Sequence, residues 1–454
     1  MNFPDHIFKA YDIRGLVEGE LSDDLAYKIG RAFVNILHQR GYGLEGKKLV
    51  VGRDMRTTSI GFQKQVIKAI NDEGFDVVDI GLCSTPLFNF ACANYSGHGG
   101  GVMVTASHNP AEYNGFKMTF EDGLPLGRET GMPELKELVK ENNFQNNEQS
   151  GQTEKFEVYP DYEKRIFSFV DKEKIKPLKI IVDAGNGMAK VSTPKVLSQL
   201  PVEVEYLYLE PDGNFPNHEA NPLKVDTLVD LQAKVRGAGA DFGFALDGDA
   251  DRIGLVDENG DVVPASFVGA LVGLEVLKHH KAGHMLYDLR CSRSVRDLWE
   301  ENGATTEISM VGHANIKKQM KESKAIFAGE LSLHLYFQDM YDVESTDLSL
   351  LYVLQLISES GKKLSELWQS LNKYFHSGEI NFEVENKDEI LNNLKEKYSD
   401  AEINELDGLL FTYPDYWFNV RASNTEPVLR LNLEANTQEL MEEKLEEIKS
   451  IIIK

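Results

Sequence analysis

Apolar, strand-sized segments alternate along most of the chain with polar loops and amphipathic stretches. An apolar segment at residues 47–54 is followed by an amphipathic stretch at residues 61–74 and by a second apolar segment at residues 75–81. The same succession begins again at residues 178–187 and at residues 284–292. Each copy has the length of a βαβ element, roughly 30 residues. Near-continuous apolar strands separated by helices predict three related α/β domains with mixed, largely parallel sheets.

The chain from about residue 371 follows a different pattern. Helical patterns at residues 389–398 and 439–454 flank short apolar strands at residues 409–413 and 417–423. This mixture predicts a smaller α+β domain at the C-terminal end. The fold class that we expect is therefore α/β, with three related α/β domains followed by one α+β domain.

A chain of 454 residues is too long for one compact core and suggests three or four domains. The polar stretch at residues 141–152 is the best linker candidate by composition. The predicted domain ranges are 1–152, 153–253, 254–370 and 371–454.

Composition and charge narrow the classes of function. The chain carries 48 Lys and Arg against 73 Asp and Glu, a formal charge of −25, which disfavours nucleic acid and anionic membranes as partners. An anionic substrate would need local basic groups. The apolar runs are too short to span a bilayer, and the first residues do not have the pattern of a signal peptide. Cys83, Cys92 and Cys291 form no CxxC pair, so we expect reduced thiols and a cytoplasmic location.

The most specific chemical signal is ALDGDADR at residues 245–252, directly after an apolar strand. Asp247, Asp249 and Asp251 alternate with small residues, so an extended backbone projects their carboxylates to one side. Three carboxylates this close repel one another unless a cation lies between them, and Mg²⁺ is the natural occupant. An EF-hand calcium loop begins similarly, but Arg252 stands where that loop requires glycine.

A second candidate loop is TASHNP at residues 105–110, which follows a glycine-rich apolar strand. Ser107 in such a loop can be exposed to a ligand, and His108 and, further on, Lys117 could surround an anion there. The same letters also fit an ordinary turn that ends at Pro110.

The third and fourth candidate loops are rich in hydrogen-bonding side chains. In GELSLH, Glu330, Ser332 and His334 alternate and could contact vicinal sugar hydroxyls, although a buried strand with a capped glutamate fits almost as well. In NVRASNTEP, Arg421 offers a planar fork for a phosphate. Donors follow it at Ser423, Asn424 and Thr425. A polar turn that caps a helix is the other interpretation of this loop.

Taken together, the four loops and the opening segment FKAYDIRG (8–15) resemble the α-D-phosphohexomutase family, and specifically its phosphomannomutase/phosphoglucomutase branch. The resemblance extends from residue 8 to residue 427. It implies four domains around a central cleft, with one loop from each domain at the cleft.

The resemblance also implies a role for each matching residue. Ser107 is expected to be the phosphorylated residue, with Arg14, His108, Lys117 and Arg252 as the other catalytic candidates. A phosphoserine oxygen would complete the metal site, whose ligands are Ser107, Asp247, Asp249 and Asp251. The residues expected to bind substrate are Tyr11, Arg290, His313, Glu330, Ser332, His334, Arg421, Ser423, Asn424 and Thr425.

The activity implied is the interconversion of hexose 6-phosphate and hexose 1-phosphate, on mannose or glucose or both, through an enzyme phosphoserine. Mg²⁺ is the expected cofactor, and glucose or mannose 1,6-bisphosphate is the expected intermediate and activator. The expected partners are small-molecule hexose phosphates, and the expected assembly is a monomer or weak homodimer. Alternatives are a phosphoglucosamine mutase, a non-catalytic sugar-phosphate-binding protein on the same scaffold, and, from the aspartates alone, a calcium-binding structural protein.

The chain departs from the pattern of the family at three places. Leu333 stands where the sugar loop usually has a second glycine, and the segment at residues 344–347 reads ESTD where an Asp-Asp-Gly segment is usual. Arg290 stands where related enzymes often carry lysine, which keeps the charge but changes the shape of the donor. The first departure brings a side chain to a place where the family keeps bare backbone.

Overall fold

The computed structural model describes residues 3–144, 147–280, 282–422 and 428–453. Three α/β domains with mixed sheets are followed by a C-terminal domain with an antiparallel sheet, which confirms the predicted fold class. No helix in these residues is long and apolar enough to cross a membrane.

The first domain is built on a mixed sheet with helices packed against it. Its strands are β1 (Ile13–Leu16), β2 (Lys48–Arg53), β3 (Val77–Leu82), β4 (His98–Val104), β5 (Tyr113–Phe120) and β6 (Thr153–Lys155). Its helices are α1 (Asp23–Gln39), α2 (Ser59–Asp72), α3 (Thr85–Asn94) and α4 (Met132–Glu141). The strand order is β1-β5-β4-β2-β3-β6. The apolar strands β2 and β4 lie side by side in parallel, and every residue of β4 is buried, as a sheet covered on both faces requires.

The second and third domains repeat this plan. The strands of the second domain are β7 (Leu178–Asp183), β8 (Val202–Leu207), β9 (Phe242–Leu246) and β10 (Ile253–Asp257). Its helices are α5 (Tyr159–Phe167), α6 (Thr193–Leu197) and α7 (Val229–Ala238). The strands of the third domain are β11 (His284–Asp288), β12 (Thr305–Ser309), β13 (Phe327–Gly329), β14 (Leu335–Phe337) and β15 (Val343–Glu344). Its helices are α8 (Ala265–His280), α9 (Arg293–Glu301), α10 (His313–Ser323), α11 (Thr346–Ser360) and α12 (Leu364–Gln369).

The C-terminal domain packs two helices against an antiparallel sheet. Its strands are β16 (Phe375–His376), β17 (Ile380–Glu383), β18 (Glu402–Asn404), β19 (Leu409–Thr412), β20 (Tyr416–Ala422) and β21 (Val428–Ala435). Its helices are α13 (Lys387–Lys397) and α14 (Gln438–Ile452). Short 3₁₀ helices elsewhere span Asp5–Ile7, Arg128–Thr130, Lys172–Lys174, Met188–Val191, Val225–Leu228 and Gln338–Met340.

One topological position recurs in the three α/β domains. Their sheets share the orders β3-β2-β4-β5, β8-β7-β9-β10 and β12-β11-β13-β14, in which the last strand of each set returns antiparallel. The loop before each returning strand is a candidate loop from the sequence: the serine loop after β4, the aspartate loop after β9 and the sugar loop after β13. The repeat in the sequence therefore brings its three chemical loops to equivalent places.

At two predicted domain boundaries, the sheet of the preceding domain continues beyond the boundary. Strand β6 begins after the boundary predicted at residue 152 and pairs with β3, so the first sheet continues beyond the polar linker candidate. Strand β10 continues past the boundary predicted at residue 253, because the chain returns beside β9 directly after the aspartate loop. The pairing of short strands across a loop is a tertiary feature that the local pattern does not contain.

The apolar core connects the α/β domains but leaves the last domain on its own. A continuous cluster of buried apolar side chains includes Phe90 of the first domain, Phe244 of the second and Trp299 of the third. The C-terminal domain has a cluster of its own, which includes Phe411 and Phe418. Polar contacts between described residues join the third domain to the fourth. Arg293 of the third domain, for example, donates hydrogen bonds to main-chain oxygens of the fourth.

Candidate active site

A cleft of about 670 Å³ opens between the domains at the loops just described. The serine, aspartate and sugar loops contribute side chains to its wall, as does the opening segment of the chain. The predicted site residues that line it are Tyr11, Arg14, His108, Lys117, Asp251, Arg252, His313, Glu330, Ser332 and His334. Residues of three candidate loops and of the opening segment therefore line one cavity although they are far apart in the sequence, whereas no described residue of the fourth loop lines it.

The serine loop reaches the aspartate loop directly. Ser107 adopts a left-handed backbone conformation, with φ of 51°, and its side chain is buried. Its Oγ donates a hydrogen bond to Asp247 Oδ2 at 2.9 Å and lies 3.1 Å from His108 Nδ1. A single hydrogen bond therefore joins the Ser107 hydroxyl of the first domain to the aspartate loop of the second domain.

This approach depends on a residue without a side chain in the aspartate loop. A Cβ built on Gly248 would lie well inside van der Waals distance of the Ser107 carbonyl oxygen. Because that oxygen belongs to the backbone, it cannot move aside as the end of a flexible side chain could. Gly248 therefore permits the two loops to pack backbone against backbone.

Arg56 is a buried residue of this site that the sequence analysis missed. It lies in the polar loop after β2, and its guanidinium donates to main-chain oxygens of the serine loop and its surroundings. The acceptors are the carbonyls of Ser107 at 2.9 Å, Asn109 at 2.5 Å, Pro110 at 2.7 Å and Tyr113 at 2.9 Å. Asp54 lies 3.2 Å from Arg56 Nε and supplies the opposite charge. Two charged residues directly after a buried strand were the signal available in the sequence.

The three aspartates of the second domain form a compact group of oxygen ligands. Asp247, Asp249 and Asp251 are buried, and each offers an oxygen within 4.8 Å of the others. Asp249 Oδ1 is buried without a hydrogen-bond partner. An unpaired, buried carboxylate oxygen among hard ligands fits Mg²⁺, because a divalent cation would satisfy it and offset the mutual repulsion.

The protein itself supplies part of the charge that this group needs. Lys117 Nζ lies 2.7 Å from Asp249 Oδ2 and 2.6 Å from Asp251 Oδ2. Thr85, at the start of α3, donates to Asp249 Oδ2 at 2.6 Å. Burial, followed by the charges of Asp251 and Asp249, nevertheless raises the pKa of Asp247 well above its usual value. One lysine therefore does not neutralise three carboxylates.

The two candidates for proton transfer are in opposite charge states. Burial, followed by the nearby charges of Arg252 and Arg14, lowers the pKa of His108 well below its usual value. Burial also lowers the pKa of Lys117, but the charges of Asp249 and Asp251 outweigh it and raise this pKa overall. His108 is therefore a neutral imidazole that can accept a proton, whereas Lys117 is an ammonium ion.

The opening segment of the chain is tied to both walls of the cleft. Arg14 donates to Asn109 Oδ1 at 2.6 Å in the serine loop and to Asp12 Oδ2 at 2.8 Å. Tyr11 donates from its hydroxyl to the Val311 carbonyl at 3.0 Å in the third domain. The Tyr11 ring also packs against His313, with 5.4 Å between ring centroids. The segment thus bridges the first and third domains at the cleft.

The sugar loop presents a tightly held carboxylate. Glu330 accepts from the Gly312 amide at 3.1 Å and from the Tyr336 hydroxyl at 2.8 Å. Ser332 Oγ lies 2.7 Å from His334 Nδ1. Burial lowers the pKa of His334, but the charge of Asp251 outweighs it, and this pKa is raised to about 9. His334 therefore adds a positive charge between the sugar loop and the aspartate loop.

Leu333 keeps the backbone conformation that favours glycine. Its φ is 69°, in the left-handed region, while its side chain is buried in the core. Its carbonyl accepts from the Ile253 amide at 3.2 Å, which ties the sugar loop to β10. The departure from the expected glycine therefore leaves the loop's backbone in a glycine-like conformation and adds strain of about 1 kcal/mol that apolar burial offsets.

The segment at residues 344–347, the second departure from the family pattern, contributes to the wall of the cleft and contacts the aspartate loop. Glu344 forms a buried ion pair of 2.8 Å with Lys317, and both residues line the cleft. Thr346 donates to the Ala250 carbonyl at 2.8 Å in the aspartate loop. Lys317 and Glu344 were missed by the sequence analysis, since nothing local pairs a lysine on α10 with a glutamate on β15.

Arg252 lines the cleft, whereas five other predicted residues do not: Ser107, Asp247, Asp249, Arg290 and Arg421. Arg252 Nε lies 3.4 Å from His334 Nε2, between the aspartate and sugar loops. Arg290 makes a two-pronged contact with Asp288 and does not line this cleft. Arg421, at the end of β20, is buried and contacts Glu379 at 3.2 Å. Ser423, Asn424 and Thr425 lie outside the described residues.

Models of one protein family match all parts of this architecture in order. Those for the alpha/beta/alpha domains I, II and III of phosphoglucomutase/phosphomannomutase match residues 5–146, 157–260 and 265–374. The model for the C-terminal domain matches residues 379–451. The fold and the site define a member of the phosphohexomutases, as the sequence resemblance indicated.

Individual relatives agree with this classification. The chain is 39% identical to a phosphomannomutase of Methanocaldococcus jannaschii, over 99% of this chain and 98% of the relative. It is 36% identical to a phosphomannomutase/phosphoglucomutase of Pseudomonas aeruginosa, over 99% and 95% of the two chains. A crystal structure of a phosphoglucomutase/phosphomannomutase family protein from Burkholderia thailandensis superposes with a TM-score of 0.90 at 31% identity, covering 99% and 97%. The chain belongs to the phosphoglucomutase/phosphomannomutase family.

Replacing Gly248 with alanine tests the packing of the serine loop on the aspartate loop. The added Cβ must push the loops apart, so we expect a loss of about 1–3 kcal/mol in the free energy of unfolding and at least a tenfold loss of activity. Gly237→Ala on α7 is the matched control, because a Cβ there meets open space. We expect this control to be neutral or slightly stabilising. Equal melting temperatures and rates for the two variants would contradict the close-packing argument.

Leu333 allows a test of the strained turn. Glycine normally destabilises a protein by about 1 kcal/mol relative to alanine, but at a left-handed position this order reverses. We therefore expect Leu333→Gly to be at least as stable as Leu333→Ala in chemical denaturation. Leu335, buried on β14, is the control, and there glycine should be the worse replacement. The same order of stability at both positions would exclude strain at Leu333.

Proposed function

We propose that this protein interconverts hexose 6-phosphate and hexose 1-phosphate, with mannose or glucose as the sugar. The observation that carries the proposal is the 2.9 Å hydrogen bond between Ser107 Oγ and Asp247 Oδ2, which lies directly beside a cleft lined by His108, Asp251 and residues of the sugar loop. A candidate nucleophilic oxygen and a group of carboxylates suited to bind a metal therefore lie at the edge of the cavity that Glu330 and Ser332 line. That combination suits phosphoryl transfer to and from a sugar.

The reaction comprises two phosphoryl transfers through Ser107. In the first, the bond from phosphorus to Ser107 Oγ breaks, a bond forms to the free hydroxyl oxygen of the hexose phosphate, and the hydroxyl proton leaves to an acceptor. The product is a 1,6-bisphosphate, which we propose as both intermediate and activator. After it turns over in the cleft, its other phosphate returns to Ser107 Oγ and the hydroxyl of the product sugar regains a proton.

The residues of the chain contribute mainly by position and charge. Arg56 fixes the serine loop through its carbonyls, and Arg14 holds it from the opposite side through Asn109. Asp247, Asp249 and Asp251, with a phosphoserine oxygen, would hold Mg²⁺, which when bound offsets the charge that develops on the transferring phosphate. His108 lies 3.1 Å from Ser107 Oγ through its Nδ1 and is positioned to exchange a proton there, while its lowered pKa favours the neutral form of the ring.

The sugar loop suits a substrate that binds in two orientations. Glu330 and Ser332 can contact the 3- and 4-hydroxyls, which keep similar places when the ring turns to exchange C1 and C6. Mannose and glucose differ at C2, which these contacts do not read. Activity on both sugars is therefore part of the proposal, and we rank mannose 6-phosphate first. Arg421 and the following loop would bind the phosphate that is not reacting.

Further properties belong to the same proposal. We propose that the protein acts as a monomer or weak homodimer on free hexose phosphates in the cytoplasm. The buried, unpaired thiols of Cys83, Cys92 and Cys291 suit a reducing compartment.

A coupled assay with mannose, glucose and glucosamine 1-phosphates distinguishes the proposed activity from a phosphoglucosamine mutase. Turnover of glucosamine 1-phosphate alone would replace the proposed substrate.

Replacing Ser107 with alanine tests the phosphoserine. We expect a loss of at least about 10³-fold in mutase activity, because the variant has no oxygen to carry the phosphate. The melting temperature should stay close to that of the wild type, and mass spectrometry should find phosphate on Ser107 only in the wild type. Ser168→Ala, at an exposed serine, is the control and should retain full activity. Substantial turnover by the Ser107 variant would refute the mechanism.

Replacing Asp249 with asparagine tests the metal site. The variant keeps the shape of the side chain but removes one of three charges, so we expect Mg²⁺ to bind at least about tenfold more weakly. Calorimetric titration with Mg²⁺ and the dependence of the rate on Mg²⁺ measure this effect. Asp226→Asn, at an exposed carboxylate of the second domain, is the control. Identical Mg²⁺ curves for both variants would argue against the aspartate loop as the metal site.

A further inference from the structure

A single carboxylate lies among arginines that come from two domains. Glu379 Oε2 is 3.2 Å from Arg421 Nη2 and 3.6 Å from Arg290 Nη1, and Glu379 Oε1 is 3.4 Å from Arg430 Nη1. Asn432 donates to Glu379 Oε2 at 3.3 Å. The sequence analysis assigned Arg290 and Arg421 to substrate binding and assigned nothing to Glu379. An acidic side chain of the protein therefore occupies the space between two residues predicted to bind substrate, of which Arg421 is the predicted phosphate ligand.

The position of Glu379 in the chain links this contact to the arrangement of the domains. It lies between β16 and β17, which both pair with β21, at the beginning of the C-terminal domain. Arg421 is on β20 of the same domain, whereas Arg290 follows β11 in the third domain. The contact with Arg290 therefore crosses between domains that have separate apolar cores.

The ionic state of the group is well defined. Burial raises the pKa of Glu379, but the charges of Arg290 and Arg421 outweigh it, and the pKa lies below its usual value. Its side chain is 25% exposed, so the carboxylate can turn into water without crossing the core. The surrounding charges thus favour the ionised form of Glu379, and its partly exposed side chain can turn away from the arginines into solvent.

The arginine that contacts it most closely has unused donor capacity. Arg421 is 4% exposed, and its Nε has no hydrogen-bond partner among the residues that the structure describes. A guanidinium can form two parallel hydrogen bonds with a phosphate, which a single carboxylate oxygen at Nη2 does not satisfy. The contact with Glu379 therefore occupies Arg421 only in part.

We propose that Glu379 is an internal competitor for the substrate's non-reacting phosphate: it holds Arg421 and Arg290 until a phosphate dianion takes its place. This inference rests on the proposed function and assigns a regulatory role to a residue outside the substrate-binding set. Glu379 keeps the buried guanidinium groups of the empty protein compensated. The exchange also releases the contact of Glu379 with Arg290, which is one of several polar contacts between the third and the C-terminal domain.

The test is to remove the competing charge and measure phosphate affinity separately from turnover. Isothermal titration with inorganic phosphate in Mg²⁺ buffer should give a dissociation constant about three- to tenfold lower for Glu379→Gln than for the wild type. The KM for glucose 1-phosphate should fall by a similar factor without a rise in kcat. Glu383→Gln is the matched control, because it removes an exposed glutamate at the end of β17, the strand that directly follows Glu379. It should leave both constants unchanged.

The same substitution in an Arg421→Met variant tests whether the change in phosphate affinity arises at Arg421. In an Arg421→Met variant the Glu379→Gln substitution should no longer change phosphate affinity, because the site for which the two anions compete has been removed. If the Glu379→Gln variant folds poorly, Glu379→Asp is the alternative. The aspartate keeps the charge on a shorter side chain, so phosphate should bind more tightly than to the wild type, by a smaller factor than in Glu379→Gln. Unchanged or weaker phosphate binding in the folded Glu379 variants, or the same effect in the Arg421→Met background, overturns the inference. A wild type without mutase activity overturns the proposed function instead, while the phosphate titrations still test Glu379.

Discussion

The close approach of two backbone loops is the constraint on which the site depends. Ser107 and Asp247 are 140 positions apart in the sequence, and they meet because Gly248 leaves room for the Ser107 carbonyl. Arg56 holds the serine loop from behind, and Thr85 holds the aspartate loop. A displacement of about 1 Å at such a junction is enough to lower the rate of a phosphoryl transfer substantially. The surrounding domains serve to keep this junction fixed.

The architecture achieves this by repetition. The three α/β domains share a strand order, and each places a chemical loop before its returning antiparallel strand. A continuous apolar core joins them, so the three loops keep fixed relative positions. The C-terminal domain has its own core and meets the third domain through polar contacts such as those of Arg293. The loops that carry Ser107 and the three aspartates thus stand on domains with a common apolar core, whereas Arg421 stands on a separately packed domain.

Basic side chains are found both at the cleft between the α/β domains and at the junction with the C-terminal domain. The chain carries a formal charge of −25, yet its cleft holds Lys117, Arg252 and a protonated His334 around the aspartates. At the domain junction, Glu379 gives the arginines a counter-ion that belongs to the protein. An acidic protein can therefore present a locally basic surface to an anion, because these basic groups lie together at the cleft and at the domain junction.

The sequence by itself determined the fold class and the chemical loops, because strand periodicity and the alternating aspartates are local patterns. It also indicated that Leu333 departs from an expected glycine. Only the tertiary structure decided that Leu333 keeps the left-handed turn, that Arg56 supports the serine loop and that Glu344 pairs with Lys317. The boundaries near residues 152 and 253 were likewise decided by strand pairing. Each of these features is a contact between distant residues, and a local pattern contains no information about which distant groups meet.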